Sequence, residues 1–365
     1  MGLRFVNVLI LVSVVLSGCG IDPTVNLEIQ KKSDKMLAVT TTNFQTGALA
    51  LLDLENRTAK LDFAPIFPDA VLRSFSGASD IFVINRLGAD NIQRVDRFSG
   101  KTLQQFSVGL GSNPQDLIVV GENAYISCFQ SQELLKVDLA TGKVIKKISL
   151  AAFSDADGSP EATRMELNGE ELWLILQQLD QSNSYVPVGP AKIGIADINT
   201  DEIRTVIPLI GTNPVTAFKK MGSDVWLIGN AGQVGSRSQM DGGVEAIDIN
   251  KKTSLGFITT EAKLGGDLVD VECIDKKACL AIVSKPETEL VVFDPVSGAK
   301  IRSLWLSSGY HLRQILRDKD DGLIYVADGN PYDPKIRVWS EANFQERIDL
   351  NWNMSLPPYH MEFLY

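Results

Sequence analysis

The chain has only two histidines, and each follows a tyrosine, at Tyr310-His311 and Tyr359-His360. An imidazole ring can exchange a proton near neutral pH, and its neutral form can bind a metal ion. Tyrosine combines a large contact area with directed hydrogen bonds, which is why it often anchors binding. The repeated pair therefore marks a candidate binding site. No spacing between these histidines and acidic residues is specific for a metal ion, so a metal site stays an open alternative.

Cys19 ends a segment with the layout of a secretory signal peptide. The segment begins with the positively charged Met1 to Arg4 and continues with an uncharged apolar run from Phe5 to Leu16. That run is shorter than the about 20 residues that a membrane-spanning helix needs. Its end, Leu16-Ser17-Gly18-Cys19, resembles a bacterial lipobox. The resemblance implies removal of residues 1–18, lipidation of the Cys19 thiol and acylation of its amino group. The alternative is a buried apolar helix with an incidental cysteine.

Charge and export together limit the partners that we expect. The full chain has a formal net charge of −10, which argues against nucleic acid because phosphate binding needs a basic surface. Membrane contact is expected through the lipid instead of a basic patch. Gly20 stands where the lipoproteins of enteric bacteria carry the aspartate of inner-membrane retention. For a cell with two membranes we therefore expect an anchor in the outer membrane, facing the periplasm or the surface.

The remaining cysteines are predicted to be structural. Cys128 lies between apolar residues, which is typical of a buried free thiol. Cys273 and Cys279 lie where two apolar strand-like runs meet, and export places them in an oxidising compartment. We expect them to form a disulfide across a hairpin. The alternative is two unpaired cysteines whose Cβ atoms do not face each other.

One phrase recurs along the chain: a short apolar strand, an aspartate, and a turn containing Gly, Asn or Thr. The key positions are Asp53, Asp96, Asp138, Asp197, Asp248, Asp294 and Ser340. An aspartate at this position can accept hydrogen bonds from the backbone amides just ahead of it, so these carboxylates are interpreted as structural. Each phrase has a strand before it and two after it. Four strands in each of seven repeats predict an all-β, seven-bladed β-propeller of four-stranded antiparallel blades.

The two ends of the chain complement each other in this scheme. The first repeat lacks its innermost strand, and the last repeat leaves one strand over, "HMEFLY". We expect this strand to be the innermost strand of the first blade, which closes the ring and removes two exposed sheet edges. Residues 36–365 then form a single propeller domain, and residues 19–35 are a lipidated tether.

The third repeat, "NPQDLIVVGENAYISCFQSQELLKVDLATGKVIKKISL", resembles a YVTN-type β-propeller repeat. In that family a proline opens the inner strand, a Tyr-Val-like strand follows, and a V-D-x-x-T-G-K phrase leads to the outer strand. The resemblance is close here and in "LIYVADGN", is looser elsewhere, and fails at Ser340. It implies the fold and a location outside the cytoplasm. It implies no single activity, because propellers host many functions.

Loop lengths predict which face carries the function. The loops between the second and third strands are long in blades four, five and seven, and variable loops on one face of a rigid scaffold commonly bind. The innermost strands begin on the same face, beside the central channel. The candidate binding residues are His311, His360, Tyr310, Tyr359, Asp116, Arg164, Tyr185, Arg237 and Tyr332. Neutral loop insertions, and histidines that only fill the channel, are the structural alternative.

We therefore expect a monomeric, lipid-anchored scaffold that binds an envelope protein or a small ligand, with no catalytic residue and no cofactor. The alternative is a propeller enzyme with its site at the channel. A metal-dependent lactonase or lyase would need a group of acids, amides or histidines that holds a metal ion. A quinone-type dehydrogenase would need tryptophans that repeat in each blade, and the five tryptophans here do not recur at one repeat position.

Overall fold

The computed structural model describes residues 35–76, 78–274 and 276–364. The predicted signal peptide, Cys19 and nearly all of the predicted 19–35 tether lie outside the described residues. Within them, short four-stranded antiparallel sheets form a ring of seven blades. The predicted seven-bladed β-propeller is thus confirmed.

Blades one to three contain the first eleven strands of the chain. Blade one has β1 (Met36–Thr42), β2 (Gly47–Asp53) and β3 (Thr58–Ile66). Blade two has β4 (Ala70–Arg73), β5 (Asp80–Asn85), β6 (Asn91–Asp96) and β7 (Thr102–Ser107). Blade three has β8 (Pro114–Val120), β9 (Asn123–Cys128), β10 (Glu133–Asp138) and β11 (Lys143–Ser149).

Blades four and five carry the long loops. Blade four has β12 (Ala162–Asn168), β13 (Glu171–Leu176), β16 (Lys192–Asp197) and β17 (Glu202–Pro208), with a small hairpin of β14 (Leu179–Asp180) and β15 (Val186–Pro187) in its loop. Blade five has β18 (Lys219–Lys220), β19 (Val225–Asn230), β20 (Gly243–Asp248) and β21 (Thr253–Thr260). Helix α1 (Glu261–Leu264) leads to blade six, and 3-10 turns lie at Ala151–Phe153, Gln181–Asn183, Gly235–Arg237 and Ile348–Leu350. None of the helices in the described part of the chain is long and apolar enough to cross a membrane.

Blade six has β22 (Asp267–Ile274), β23 (Ala278–Ser284), β24 (Thr288–Phe293) and β25 (Lys300–Leu306). Blade seven has β26 (Leu312–Asp318), β27 (Leu323–Asp328), β28 (Lys335–Ser340) and β29 (Trp352–Asn353). The last strand, β30 (Pro358–Leu364), is the innermost strand of blade one. It pairs antiparallel with β1 from Met36 opposite Leu364 to Thr40 opposite His360. The predicted closure of the ring by the C-terminal strand is confirmed.

The repeated aspartates close turns, as predicted. The Asp138 carboxylate accepts a hydrogen bond from the backbone amide of Thr141 at 2.8 Å, and Asp96 accepts one from Ser99 at 2.7 Å. Hydrogen bonds from the hydroxyl and backbone N–H groups of these two turn residues lower the pKa of both carboxyl groups. In the six blades that carry the aspartate, such bonds fix the turn that leads into the outermost strand, so the aspartates serve the fold.

The apolar core lies between blades. Each of seven buried clusters in the described chain joins two neighbouring blades, because both faces of each sheet are covered. Between blades four and five, for example, the rings of Trp173 and Trp226 have centroids 5.1 Å apart. Cys128 is buried and unpaired, and burial raises the pKa of its thiol to about 12. Cys273 and Cys279 face each other across β22 and β23 and are joined by a disulfide.

The outermost strand of blade seven differs from the expectation. The segment "ERIDLNW" is predicted as a strand, but the structure forms a 3-10 turn at Ile348–Leu350 and only a two-residue strand, β29. The Asn351 side chain accepts the hydrogen bond from the backbone N–H of Val338 at 2.8 Å, a donor that a neighbouring strand would otherwise pair. A side-chain amide thus replaces the backbone of the missing strand, and the chain is free to turn away from the sheet.

Candidate functional site

In five blades, extra residues interrupt the register near the start of the innermost strand. We call the end of the propeller at which these strands begin the upper face. The extra or shifted residues are Gln115, Thr163 and Arg164, Val269, Arg313 and Gln314, and Tyr359. A β-bulge bends the strand and redirects its side chains. All of these residues line one cavity at the centre of the ring.

This cavity is the upper mouth of the central channel, with a volume of about 270 Å³. Its wall is polar and rich in cations. The charged and polar side chains that line it are those of Arg86, Arg164, Lys219, Arg313, Asp270, His360, Tyr310, Tyr359, Gln115, Gln177, Gln314, Thr163 and Thr216. In a chain with a net charge of −10, four cationic groups around one cavity form a local positive site.

Two of these cations are neutralised by neighbouring carboxylates. Arg86 forms an ion pair with Asp69 and donates a hydrogen bond to the Tyr359 hydroxyl at 2.8 Å. Lys219 lies 3.3 Å from a carboxylate oxygen of Glu272 and 3.8 Å from one of Asp270. In each of these ion pairs the carboxylates offset the positive charge of Arg86 or Lys219, so the pairs contribute little net positive potential to the cavity.

The other two cations, Arg164 and Arg313, have no carboxylate oxygen within 4.0 Å among the described residues. Arg164 donates a long hydrogen bond of 3.5 Å to the carbonyl oxygen of Gln115, and burial lowers the pKa of its guanidinium. The Arg313 guanidinium lies 4.6 Å from the ring centroid of Tyr310 and 6.0 Å from that of Tyr359. Aromatic rings hold a guanidinium in place without removing its charge. The upper mouth therefore presents two arginines without an ion pair of their own, since the carboxylate whose charge acts on Arg164, that of Asp116, is already paired with Arg73.

The two histidines are not equivalent, which corrects the repeat alignment. His360 lies opposite Thr40 on β1 and directly precedes Met361. Met361 and Ile315 occupy equivalent positions in the innermost strands of blades one and seven, so the residue equivalent to His360 in blade seven is Gln314. His311 precedes β26 and lines a neighbouring cavity, whose wall shares Arg313 and Tyr359 with the upper mouth. The matching letters "YH" misled the alignment, because Leu312 is the equivalent of Pro358 and His311 therefore lies three residues before the position that corresponds to His360.

The surroundings of His360 favour its neutral form. Burial, followed by the charges of Arg164, Arg73, Arg86 and Lys219, lowers its pKa well below the ordinary value. Its Nδ1 atom accepts a hydrogen bond from the backbone N–H of Leu72 at 3.3 Å. His360 thus contributes a neutral ring to the channel and adds no positive charge. His311 is only partly buried, and its Nδ1 atom lies 3.0 Å from the Ser307 hydroxyl.

Asp116 does not face the upper mouth. Its side chain is buried and forms a bidentate ion pair with Arg73, with both N–O distances 2.6 Å, and accepts a hydrogen bond from the backbone N–H of Met165 at 2.8 Å. Asp116 therefore joins blades two, three and four below the cavity. Asp116 lies at the strand position that Arg164 and His360 occupy in their own blades, but its carboxylate is paired with Arg73 and does not line the cavity.

The predicted loop residues lie on the upper face, away from the channel axis. Tyr185 packs against Phe129 with ring centroids 5.9 Å apart and is half exposed. Arg237 donates a hydrogen bond to the carbonyl oxygen of Asn183 at 3.3 Å, which connects the long loops of blades four and five. Tyr332 is 95 % exposed. The structure thus brings Tyr310, Tyr359, Arg164 and His360 together, and places these three residues at the rim.

One acidic cluster lies on the same face, in the connection that enters blade four. Ligand oxygens of Asp155, Asp157 and Glu161 lie within 4.8 Å of one another. Asp157 and Glu161 accept hydrogen bonds from the backbone amides of Gln181 and Leu179, so the cluster fastens this connection to the long loop of blade four. Burial raises the pKa of Glu161 to about 7. The upper mouth itself holds no such group of three acids or histidines among the described residues.

Sequence reasoning missed Arg86 and Arg313. Arg313 lies two residues after His311 in the segment "GYHLRQ", and its proximity to the predicted pair was a usable signal. Arg86 gave none, because it follows the second strand of blade two and reaches the channel through its long side chain.

The fold recurs in solved structures of low sequence identity. A putative 6-phosphogluconolactonase from Bacteroides uniformis is 12 % identical, with a TM-score of 0.65, covering 91 % of this chain and 100 % of that one. Apo AztD from Citrobacter koseri is 13 % identical, with a TM-score of 0.54 and coverages of 90 % and 97 %. The dihydro-heme d1 dehydrogenase NirN is 15 % identical, with a TM-score of 0.57 and coverages of 90 % and 75 %. No protein-family model and no curated protein matches the chain. At these identities the likeness shows the fold alone.

Proposed function

We propose that this protein is a lipid-anchored propeller of the bacterial cell envelope that binds the anionic group of a ligand at its upper mouth. The observation that carries the proposal is the pair Arg164 and Arg313, which line one cavity and have no carboxylate oxygen within 4.0 Å among the described residues. The lipobox-like segment ending at Cys19 supports the anchor and the location.

The energetics favour an anion at this site. Removing a charged group from water without a partner is costly, so a buried guanidinium gains most from an incoming counter-charge. Guanidinium groups bind carboxylates and phosphates through two parallel hydrogen bonds, which fixes the orientation of the anion. Arg86, although paired with Asp69, lines the same wall and adds further N–H groups. The site therefore suits a carboxylate or phosphate group that enters from the upper face.

Calorimetric titration of the lipid-free domain with inorganic phosphate and with acetate tests the proposal. Loss of a charged hydrogen bond costs about 1.5–3 kcal/mol, so Arg313→Gln is expected to weaken binding by roughly 10- to 150-fold. The matched control is Arg302→Gln on the exposed outer strand β25, where the arginine donates to the Asn343 carbonyl oxygen. Absence of binding by the wild type, or equal weakening by both variants, contradicts the proposal.

Catalysis at the same mouth is the alternative function. It is favoured by the fold shared with a structure described as a putative 6-phosphogluconolactonase, because a phosphorylated sugar lactone would bring an anionic group to these arginines. Incubation of the wild type with that lactone and detection of the acid product distinguish the two. Turnover that Arg313→Gln abolishes favours the enzyme, and binding of phosphate without turnover favours the binding protein.

A further inference from the structure

A second, larger cavity opens beside the upper mouth. It has a volume of about 870 Å³ and lies between the long loop of blade five and the start of blade six. Val215, Val269 and Tyr310 line both cavities, so the two lie side by side. We call this space the side cavity. Its volume falls in the range of about 300–1,000 Å³ that is usual for small-molecule sites.

The wall of the side cavity is mainly apolar, unlike that of the upper mouth. Apolar side chains of the blade-five loop and of blade six line it, among them Val234, Met240, Leu268 and Pro286. Apolar surface of this kind gains free energy when a ligand displaces water from it. The side cavity therefore suits a hydrocarbon chain or ring.

Charges orient such a ligand. The carboxylate of Asp267 lines the side cavity, where it accepts a hydrogen bond from the Ser238 hydroxyl. Lys285 also lines the side cavity, so its one acidic and one basic side chain offset each other, whereas Arg313 and Arg164 of the neighbouring upper mouth have no carboxylate oxygen within 4.0 Å among the described residues. An anionic group is thus directed to the upper mouth, and an apolar group to the side cavity.

We infer that the ligand is an amphipathic anion: its carboxylate or phosphate lies against Arg164 and Arg313, and its apolar chain or ring fills the side cavity. This inference rests on the proposed function and adds the chemical class of the ligand. Neither group of residues alone distinguishes such a molecule from a simple anion or a neutral hydrocarbon. The contact between the two cavities at Val215, Val269 and Tyr310 is what links them into one site.

Titration with a series of unbranched carboxylates, acetate, butanoate, hexanoate and octanoate, tests this inference. Burying one methylene group contributes about 0.8 kcal/mol, so affinity is expected to rise about fourfold for each carbon added. Octanol, which has the chain without the charge, is expected to bind at least tenfold more weakly than octanoate. Equal affinity for acetate and octanoate, or for octanol and octanoate, overturns the inference.

Substitutions locate the two parts of the site. Val234 is 42 % exposed, so Val234→Asn places a neutral polar group in the side cavity at little cost to the fold. We expect it to reduce the gain with chain length while acetate, which has no chain to place there, keeps its affinity. The control is Val296→Asn, at a side chain 87 % exposed in a turn of the opposite face, which should change neither. If Val234→Asn and Val296→Asn give the same chain-length gain, the side cavity does not hold the chain.

The outcomes separate this inference from the proposed function. If acetate and phosphate bind but longer chains do not raise the affinity, the inference of an amphipathic ligand is contradicted and the proposed anion site is still supported. Failure of every carboxylate and of phosphate to bind removes both. A melting temperature within 2 °C of the wild type, about the effect of 1 kcal/mol or less, shows for each variant that the fold is intact.

Discussion

Removing the last strand tests how much of the stability depends on closure of the ring. Deleting residues 360–365 removes most of β30, the strand that pairs with β1 from Met36 to Thr40. Met361, Phe363 and Leu364 are 0 %, 7 % and 3 % exposed. Burial of such a side chain contributes about 1.5–3 kcal/mol, so the three together contribute about 5–9 kcal/mol. Because a domain is commonly stable by only about 5–15 kcal/mol, the truncated protein should be largely unfolded or aggregated.

A point substitution in β30 tests the contribution of this strand to stability in a protein that still folds. Met361→Ala is expected to cost about 2–5 kcal/mol, because it leaves a void among buried side chains. At about 2–4 °C for each kcal/mol, the melting temperature should drop by roughly 4–20 °C. Met361→Leu, which nearly conserves volume, should cost less than about 1.5 kcal/mol. Thermal denaturation followed by circular dichroism gives the melting temperatures of the wild type, Met361→Ala and Met361→Leu.

Rescue with a peptide isolates closure from chain length. Adding a synthetic peptide of residues 358–365 to the truncated protein should restore a cooperative thermal transition, because the peptide can pair with β1. The reasoning is refuted if the truncated protein melts like the wild type, or if Met361→Ala and Met361→Leu shift the melting temperature equally.

Three further predictions follow from other parts of the chain. Cys19→Ser should abolish lipidation and release the protein from the membrane fraction or leave it uncleaved; fatty-acid labelling of the variant would contradict the lipobox interpretation. In denatured, unreduced protein an alkylating reagent should modify Cys128 but neither Cys273 nor Cys279 until a reductant is added, as mass spectrometry can show. Burial raises the pKa of Glu261 to about 7, so the folded protein holds this proton between about pH 4.5 and 7 and its free energy of unfolding falls as pH rises through that window. Glu261→Gln should make this fall shallower by up to about 1.4 kcal/mol per pH unit in urea titrations, and an unchanged slope would contradict the assignment.

The sequence predicted the blades because the information for them is local. Alternating short strands and the Asp-containing turns repeat in nearly every blade, and the turn at Asp138 uses hydrogen bonds to residues only three positions ahead. The outer strand of blade seven escaped prediction, because the Asn351 side chain replaces backbone pairing there. Nothing in the local pattern of apolar residues signals such a substitution.

The site was predicted less well, since it depends on bulges and on contacts between distant blades. Asp116 lies at the same strand position as Arg164 and His360, so its place in the repeat was predicted correctly. Its carboxylate is nevertheless buried against Arg73 of another blade, a contact that the repeat pattern does not reveal. The feature that distinguishes Arg164 and Arg313 is the absence of a nearby carboxylate among the described residues. That property depends on the packing of blades two, four and seven together.

The central claim, an anion bound at the upper mouth by arginines without an ion pair of their own, is tested most directly by crystallography with an anomalous scatterer. Crystals of the lipid-free domain are soaked in selenate, a tetrahedral anion similar to sulfate and phosphate. We predict an anomalous peak within hydrogen-bond distance of the guanidinium groups of Arg164 and Arg313 in the wild type, and no peak there in the double variant Arg164→Gln, Arg313→Gln. Selenate found only at other surface sites of the wild type, with the upper mouth empty, would contradict the account.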